Sequence, residues 1–253
     1  MADRPRISLI TITRDEERLI GQCLKSAWFC DEKLVIDSNS TDNTVAIARD
    51  LGADVTVHEF TNYVTQKQMA LDRAHGDWVL LMDADEQATH LLGEEILRTI
   101  AAPDAADGYH IRRILYHLGH YYSHSIYPDT PVRLFRRDHG HIGGRDPHDK
   151  VVVDGRIGRL SESILHFSYR DIADHVATIN RFSTRAANEH QPNALTVVRM
   201  FTNPAWRFFN FYVIRGGFRD GGRGLYAAMS AAFYVFLKYA KLYERRLKSR
   251  TPL

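Results

Sequence analysis

The sequence predicts an α/β fold of the doubly wound, Rossmann-like kind: a mostly parallel sheet flanked by helices, followed by a helical, amphipathic C-terminal extension. Three observations lead there. Short β-rich runs alternate with helical patterns from residue 7 to residue 82. The most apolar of these runs, Trp78 to Met82, has the unbroken hydrophobicity of a strand buried on both faces. Charge and aromatic content then change abruptly near residue 196.

Taken in order, Ile7 to Thr13 reads as a strand, Glu17 to Ala27 as an amphipathic helix, Lys33 to Asp37 as a strand and Thr44 to Leu51 as a helix. Ser40, Thr41 and Asp42 supply N-cap side chains for that helix, and Gly52 supplies its stop. Asp54 to His58 is a third strand, Thr65 to Ala74 is helical, and Trp78 to Met82 completes a βαβαβ pattern, in which ligands bind beyond the carboxyl ends of the strands. From Gly108 to Lys150 the chain is rich in His, Tyr and Arg without clean periodicity, which suggests a loop-rich binding face. Ile172 to Asn188 is helical again.

The 253 residues allow one sizeable α/β domain and an appendage, and 44% apolar with 25% charged residues excludes disordered and fibrous classes. The only cysteines, Cys23 and Cys30, are too few for a disulfide framework or a zinc site, so a reducing compartment is expected. Ile7 to Thr13 is too short for the apolar part of a signal peptide and runs into Arg14, Asp15, Glu16 and Glu17 rather than a cleavage site.

Net charge is +2, unevenly spread. From Arg199 onward eleven Lys and Arg face two Asp and Glu, an excess of +9, which leaves −7 on residues 1–198. A basic segment of this kind suggests a polyanionic partner. Its aromatic run Trp206, Phe208, Phe209, Phe211 and Tyr212, interleaved with Arg207, Arg215, Arg219 and Arg223 and followed by Lys238, Lys241, Arg245, Arg246, Lys248 and Arg250, favours an anionic membrane surface over nucleic acid. An equal alternative is that the segment packs on the catalytic domain. The uncharged run Gly224 to Leu237 has 14 residues, short of the roughly 20 that span a bilayer.

The strongest chemical signal is Asp83-Ala84-Asp85, followed by Glu86, at the carboxyl end of the Trp78 to Met82 strand. Two carboxylates at i and i+2 in a tight loop can turn toward one hard cation that neutralises a diphosphate. The second signal is Asp37 at a strand end, leading through Ser38-Asn39-Ser40-Thr41-Asp42 into a helix. A carboxylate there can accept from a ribose hydroxyl or a base N–H. His117, His120, His124, His139 and His141 form no compact metal-binding spacing and read as solvated or packed.

Jointly these runs resemble the family-2 glycosyltransferases, most closely the branch of lipopolysaccharide-core β-1,4-glucosyltransferase-like proteins. The resemblance is carried by Thr11-Ile12-Thr13-Arg14-Asp15-Glu16-Glu17, the run Asp37 to Thr44, Gln66-Lys67 with Ala70, and Gly76-Asp77-Trp78 leading into Asp83-Ala84-Asp85-Glu86. It continues through Arg133-Leu134-Phe135, Pro147-His148-Asp149-Lys150-Val151 and Leu165-His166-Phe167-Ser168-Tyr169. Asn39 and Asn43 stand where the branch usually has Gly, and Asn is the residue that best tolerates the same backbone. Asp15 replaces a usual Asn, and Asp149 a usual Glu.

The resemblance implies a GT-A fold, with a catalytic domain over 1–195 (nucleotide-sugar half 1–105, acceptor half 106–195) and a membrane-associating extension over 196–253. It implies a nucleotide-sugar donor, a UDP-sugar, held by Thr11, Thr13, Glu16, Asp37, Ser40, Gln66, Lys67, Asp83, Arg133 and His148. Asp85 and His166 would hold a divalent cation, Mg²⁺ or Mn²⁺, and Asp149 would act as general base in an inverting transfer to a lipid-linked glycan at the cytoplasmic face of a membrane. Alternatives on a similar sheet are a sugar-phosphate nucleotidyltransferase, disfavoured by the acidic Thr13 to Glu17 turn where a glycine-rich loop is needed, and a non-catalytic membrane-bound scaffold.

Overall fold

The computed structural model describes residues 4–122, 124, 129–145 and 148–249, with the backbone alone for Arg145 and His148. Asp146 and Pro147 lie outside the described residues. Along the chain run β1 (Ile7–Thr13), α1 (Ile20–Ser26), β2 (Glu32–Asp37), α2 (Thr44–Asp50), β3 (Asp54–Val57), α3 (Tyr63–Asp72), β4 (Trp78–Leu81), β5 (Glu86–Ala88) and α4 (His90–Ile100). These are followed by β6 (Gly108–His117), β7 (His120–Tyr121), β8 (Val132–Arg136), β9 (Gly140–Arg145), β10 (His148–Val153), β11 (Ile157–His166), α5 (Ile172–Asn188), α6 (Thr196–Phe209) and α7 (Gly221–Lys248).

The chain forms two compact units, one of residues 1–114 and 129–166, the other of residues 115–128 and 167–253. The second therefore begins earlier in sequence than the composition change at 196, because α5 packs on α7. In the first unit the strand order is β3-β2-β1-β4-β8-β6-β11-β5. The run β3-β2-β1-β4 is parallel, with Thr13 opposite Asp37 and Ile10 opposite Leu81, and the sheet then continues antiparallel through β8. The parallel half follows the alternation read from the sequence.

Strand pleating divides β4 between two cores. Trp78 and Leu80 join Ile7, Leu9 and Val35 under α1 and α4, while Val79 and Leu81 join Ile10, Leu34 and Ile36 under α3 and the β9–β10 hairpin. Burial on both faces is why this strand reads as a continuous apolar run. Gly76, two residues before it, sits against β1: its N–H donates to Ser8 Oγ at 2.8 Å, and a Cβ would lie 2.8 Å from Ser8 N and 2.9 Å from Arg6 O. The contact is with backbone, which cannot swing aside.

Three sequence expectations are corrected. The stretch from Gly108 to Lys150 is strand-rich rather than loop-rich, with β6, β7, β8, β9 and the first half of β10 in it. Its periodicity was hidden because inward positions are charged: Tyr109 and Ile111 enter the core and Arg113 takes the next place on that face. The first helix begins at Ile20, not Glu17, since Glu17 is tied to the turn before α2, where Glu17 Oε2 accepts from Asn43 N at 3.1 Å. Ser40 does not cap α2 either. Of the expected caps, Asp42 accepts from Thr44 N at 3.0 Å, whereas Ser40 faces Asp37.

The second unit is built from α5, α6 and α7, with α7 packed on both others. α6 passes through a π turn (Asn210–Ile214), and the chain reverses at Gly216, whose φ of 74° is left-handed. Much of the basic charge of this segment is spent internally. Lys241 Nζ, with three N–H groups, lies 2.7 Å from each of Asn180 O, Asn180 Oδ1, Ser183 Oγ and Thr184 Oγ1, and Arg245 donates to Ala187 O at 2.7 Å. Lys248 pairs with Glu244. Lys241 and Arg245 thereby cover α5 carbonyls, and Arg199, Arg207 and Arg219 are among the cations left exposed. Among the described residues no helix is long and apolar enough to cross a membrane.

Gly76→Ala is expected to destabilise the protein by about 1–3 kcal/mol, as overpacking against fixed backbone does. A urea denaturation midpoint matching that of the parent would show that the β1–β4 approach is slack.

Candidate active site

The carboxyl ends of β1, β2 and β4 lie side by side because those strands are adjacent and parallel, so Thr13, Asp37 and the loop after Leu81 open on the same edge. Asp37 is fully buried, and its carboxylate accepts from Ser40 N at 2.9 Å and from the Ser40 hydroxyl. Ser40 Oγ in turn accepts from Asp15 N at 2.9 Å, and Asp15 Oδ1 accepts from Thr41 N at 2.7 Å. Glu16 N donates to Thr44 Oγ1 at 2.7 Å. The two strand-end turns are thus laced together.

Backbone geometry explains part of the motif. Asp15 (φ 52°) and Asn39 (φ 56°) occupy the left-handed region, where Asn and Asp are the best-tolerated residues after Gly. Asn43 has φ −82°, so no glycine-like conformation is required there. Thr11 and Thr13 are buried with hydroxyls that have no hydrogen-bond partner among the described residues. Gln66 Nε2 donates to Glu59 O at 3.1 Å, while its Oε1 is buried without a partner among them.

The loop after β4 carries a dense charge cluster. Lys67, on α3, sends its ammonium to Asp83 Oδ1 at 3.0 Å and to Asp149 Oδ2 at 2.9 Å. Arg133, on β8, reaches Asp83 Oδ2 at 2.9 Å and Glu86 Oε1 at 2.8 Å, and Arg113, on β6, reaches Glu86 Oε1 at 3.0 Å. Asp85 Oδ2 lies 3.1 Å from His166 Nε2, at the end of β11. The strands thereby bring together Lys67, Asp83, Asp85, Arg133, Asp149 and His166 from five separate stretches of sequence. The side chain of His148 is outside the described residues.

Burial disfavours charge throughout this cluster, and the partners decide the outcome. Burial would raise the Asp83 carboxyl, but Lys67 and Arg133 hold it well below the usual carboxylate range. Glu86 goes the other way: burial, reinforced by Asp83, pushes it up despite Arg133 and Arg113. Burial works against a charged Lys67, yet Asp83 and Asp149 outweigh it and raise its pKa. His166 is likewise raised, because the Asp85 hydrogen bond and charge overcome desolvation.

Glu86 and Arg113 belong to the cluster although no role is read for either from the sequence alone. Glu86 could have been found, since it directly follows the Asp83-Ala84-Asp85 triplet. Nothing in the neighbourhood of Arg113 marked it.

Asp85 and His166 present an oxygen and an imidazole nitrogen, and their 3.1 Å separation is that of neighbouring ligands on a cation with bonds of about 2.1 Å. One carboxylate oxygen and one imidazole nitrogen are two of the donors a divalent cation needs. Among the described residues no group of three or more His, Cys, Asp and Glu could hold one.

Known proteins bear on this site. A family model described as Glycosyl transferase family 2 matches residues 8–158. An uncharacterised glycosyltransferase of Rickettsia felis is 34% identical over 98% of this chain and 93% of its own length. A lipopolysaccharide core biosynthesis glycosyltransferase, LpsC, of Rhizobium meliloti is 31% identical over 96% and 94%. Among solved structures, S. aureus TarS 1-349 in complex with UDP-GlcNAc aligns over 97% of this chain and 91% of that one at 15% identity and a TM-score of 0.49, too loosely for any residue to be transferred.

Because the His166 pKa is raised in the folded protein, the charged bridge to Asp85 stabilises the fold below the ordinary imidazole range near 6.5, and this contribution is lost as pH rises through the raised value. In Asp85→Asn the His166 titration followed by NMR is expected to move down. An unchanged midpoint would mean that Asp85 does not hold the proton there.

Proposed function

The chain belongs to glycosyl transferase family 2, with the GT-A fold, and from that premise we propose an inverting, cation-dependent transfer of a sugar. The donor is a nucleoside diphosphate sugar, read as a UDP-sugar carrying glucose, and the acceptor a lipid-linked or lipopolysaccharide-core glycan. The observation that carries the reading is the convergence of Asp83, Asp85, Asp149 and His166 on one charged cluster at the strand ends. The Rhizobium relative, by its name a lipopolysaccharide core enzyme, supports the choice of acceptor.

In this reading the acceptor hydroxyl oxygen attacks the anomeric carbon from the face opposite the diphosphate. The bond from that carbon to the diphosphate oxygen breaks, and its electron pair leaves with the diphosphate. Asp149 takes the acceptor's proton as general base. Lys67 and Arg133 offset negative charge where the diphosphate departs. Asp37, with Thr11, Thr13, Glu16, Ser40 and Gln66, forms the recess for uracil and ribose, and the unpartnered Thr11 and Thr13 hydroxyls suit a polar ligand. A bound Mg²⁺ or Mn²⁺, held by Asp85 and His166 together with donor oxygens, would supply positive charge to the diphosphate.

The second unit we read as a peripheral attachment to the inner face of the cytoplasmic membrane. Its support is the set of large apolar side chains left exposed on α6 and α7, Phe201, Trp206, Phe209, Met229 and Phe233 among them, beside the arginines not spent within the unit.

Asp85→Ala is expected to abolish metal-dependent donor binding in a protein that still folds, with a modest fall in melting temperature from loss of the His166 bridge. Calorimetry of nucleotide-sugar binding with and without Mn²⁺ measures it, and undiminished metal-dependent binding would remove Asp85 from the site. Asp149→Asn should bind donor and metal normally while turnover falls by about 10² or more. Near-normal turnover would pass the role of base to another carboxylate, with Asp146 the first to test.

A further inference from the structure

The turn that follows β4 is closed on itself by one residue. Glu86 N donates to Asp83 O at 3.0 Å, and the Glu86 side chain reaches back so that its Oε2 accepts from Asp83 N at 2.9 Å. Its other oxygen, Oε1, accepts from Arg133 Nη2 at 2.8 Å and from Arg113 Nη1 at 3.0 Å. Both oxygens of one carboxylate are therefore committed to N–H donors from three stretches of the chain. Glu86 is fully buried, which leaves it no surface for a substrate.

The groups that hold Glu86 are themselves anchored. Arg113 Nε donates to Asp129 Oδ1 at 2.9 Å and its Nη2 to Asp129 Oδ2 at 2.6 Å, a bidentate pair that leaves Nη1 for Glu86. Arg133, buried on β8, also holds Asp83 Oδ2 at 2.9 Å. On the other side, β5 begins at Glu86, and its register against β11 puts Glu86 opposite His166. Asp85 directly precedes Glu86. The residue that closes the turn thus also joins the strand following Asp85 to the strand ending in His166, and those two side chains meet at 3.1 Å.

We propose that Glu86 is the positioning residue for the cation and diphosphate end of the site: held by Arg113 and Arg133, it fixes the turn in which Asp83 faces the Lys67 ammonium and Asp85 faces His166. The inference rests on the reading of Asp85 and His166 as the cation pair. Glu86 acts through the turn and takes no part in bond making.

A plain counter-charge for two arginines would also be buried here, and substitutions separate the two roles. Glu86→Gln keeps the shape but offers an oxygen to one side only. With that oxygen toward the arginines, the amide NH₂ meets Asp83 N donor to donor, and the reverse orientation sets it against the guanidinium groups. Glu86→Asp keeps the charge on a side chain one methylene shorter, which cannot hold the arginines and Asp83 N together.

The test is calorimetry of UDP binding to the intact protein, in EDTA and in Mn²⁺, with hydrogen exchange at the Asp83 amide followed by NMR. Both variants should weaken Mn²⁺-dependent UDP binding about tenfold or more, leave binding in EDTA within about twofold, and speed exchange at Asp83. A counter-charge alone would let Glu86→Asp bind like the parent, and a merely structural role would weaken binding in EDTA and in Mn²⁺ alike. Either result overturns the proposal. Arg113→Gln, at a partly exposed residue, covers the case in which the Glu86 variants fail to fold. It should show the same selective loss by about threefold, and parent-strength Mn²⁺-dependent binding in it overturns the proposal as well. If Asp85→Ala keeps the Mn²⁺ dependence of the parent, or the parent shows none, the cation reading fails and takes this inference with it. If Asp85→Ala loses that dependence while the Glu86 variants keep it, the inference about Glu86 falls alone.

Discussion

The Lys67 ammonium, only 7% exposed, lies within 3.0 Å of carboxylates from two distant parts of the chain, Asp83 after β4 and Asp149 on β10. A lone ammonium in that setting would shed its proton, and two lone carboxylates would take one up. Lys67 keeps its charge because Asp83 and Asp149 outweigh burial, Lys67 and Arg133 in turn hold Asp83 ionised, and the arrangement fixes where β10 must lie against the loop after β4. Glu86, fully buried against Arg133 and Arg113, is instead pushed up by burial and by Asp83.

Such a cluster has a structural precondition. Side chains at strand ends can meet only if their strands are neighbours, and here the parallel run β2-β1-β4 and the antiparallel addition of β8 and β6 supply that. The parallel half contributes Asp37, Thr13 and Asp83 from consecutive carboxyl ends. The antiparallel half brings Arg133 and Arg113 in from the side. Asp37 and Asp83 thus come from the parallel half of the sheet and the arginines from the other, while Glu86 on β5 and Asp149 on β10 join from outside the parallel run.

The division also explains what could be read from the sequence. The central parallel strands β1 and β4 are buried on both faces, so hydrophobicity alone marked Ile7–Thr13 and Trp78–Leu81 within a residue. Asp37, Asp83 and Asp85 followed because they sit at the ends of those runs. On β6 and β8 the inward places of Arg113 and Arg133 break the alternation that signals a strand, so the stretch read as loop. Arg133 was recovered only through family resemblance, and Arg113 was not recovered. The hydroxyl-rich turn after β2 was misread in detail for a related reason: Ser40 has the chemistry of a cap, but the buried Asp37 carboxylate claims it first. In the basic segment, counting charges could not distinguish cations facing solvent from Lys241 and Arg245, which face carbonyls.

The Lys241 contacts bear on how this chain can be taken apart. One ammonium on α7 shares three N–H groups among four oxygens across a turn of α5, and Arg245 closes the carbonyls at the end of that helix. α7 is therefore a structural partner of α5 before it is anything else, and replacing it with an unrelated anchor would leave α5 with bare acceptors on one side. Any partner that docks on α7 would share that helix with the fold, so the segment is not a modular tether. Drift in its sequence is constrained at Lys241 and Arg245 by packing, and is freer at positions such as Met229 and Phe233, whose side chains face outward.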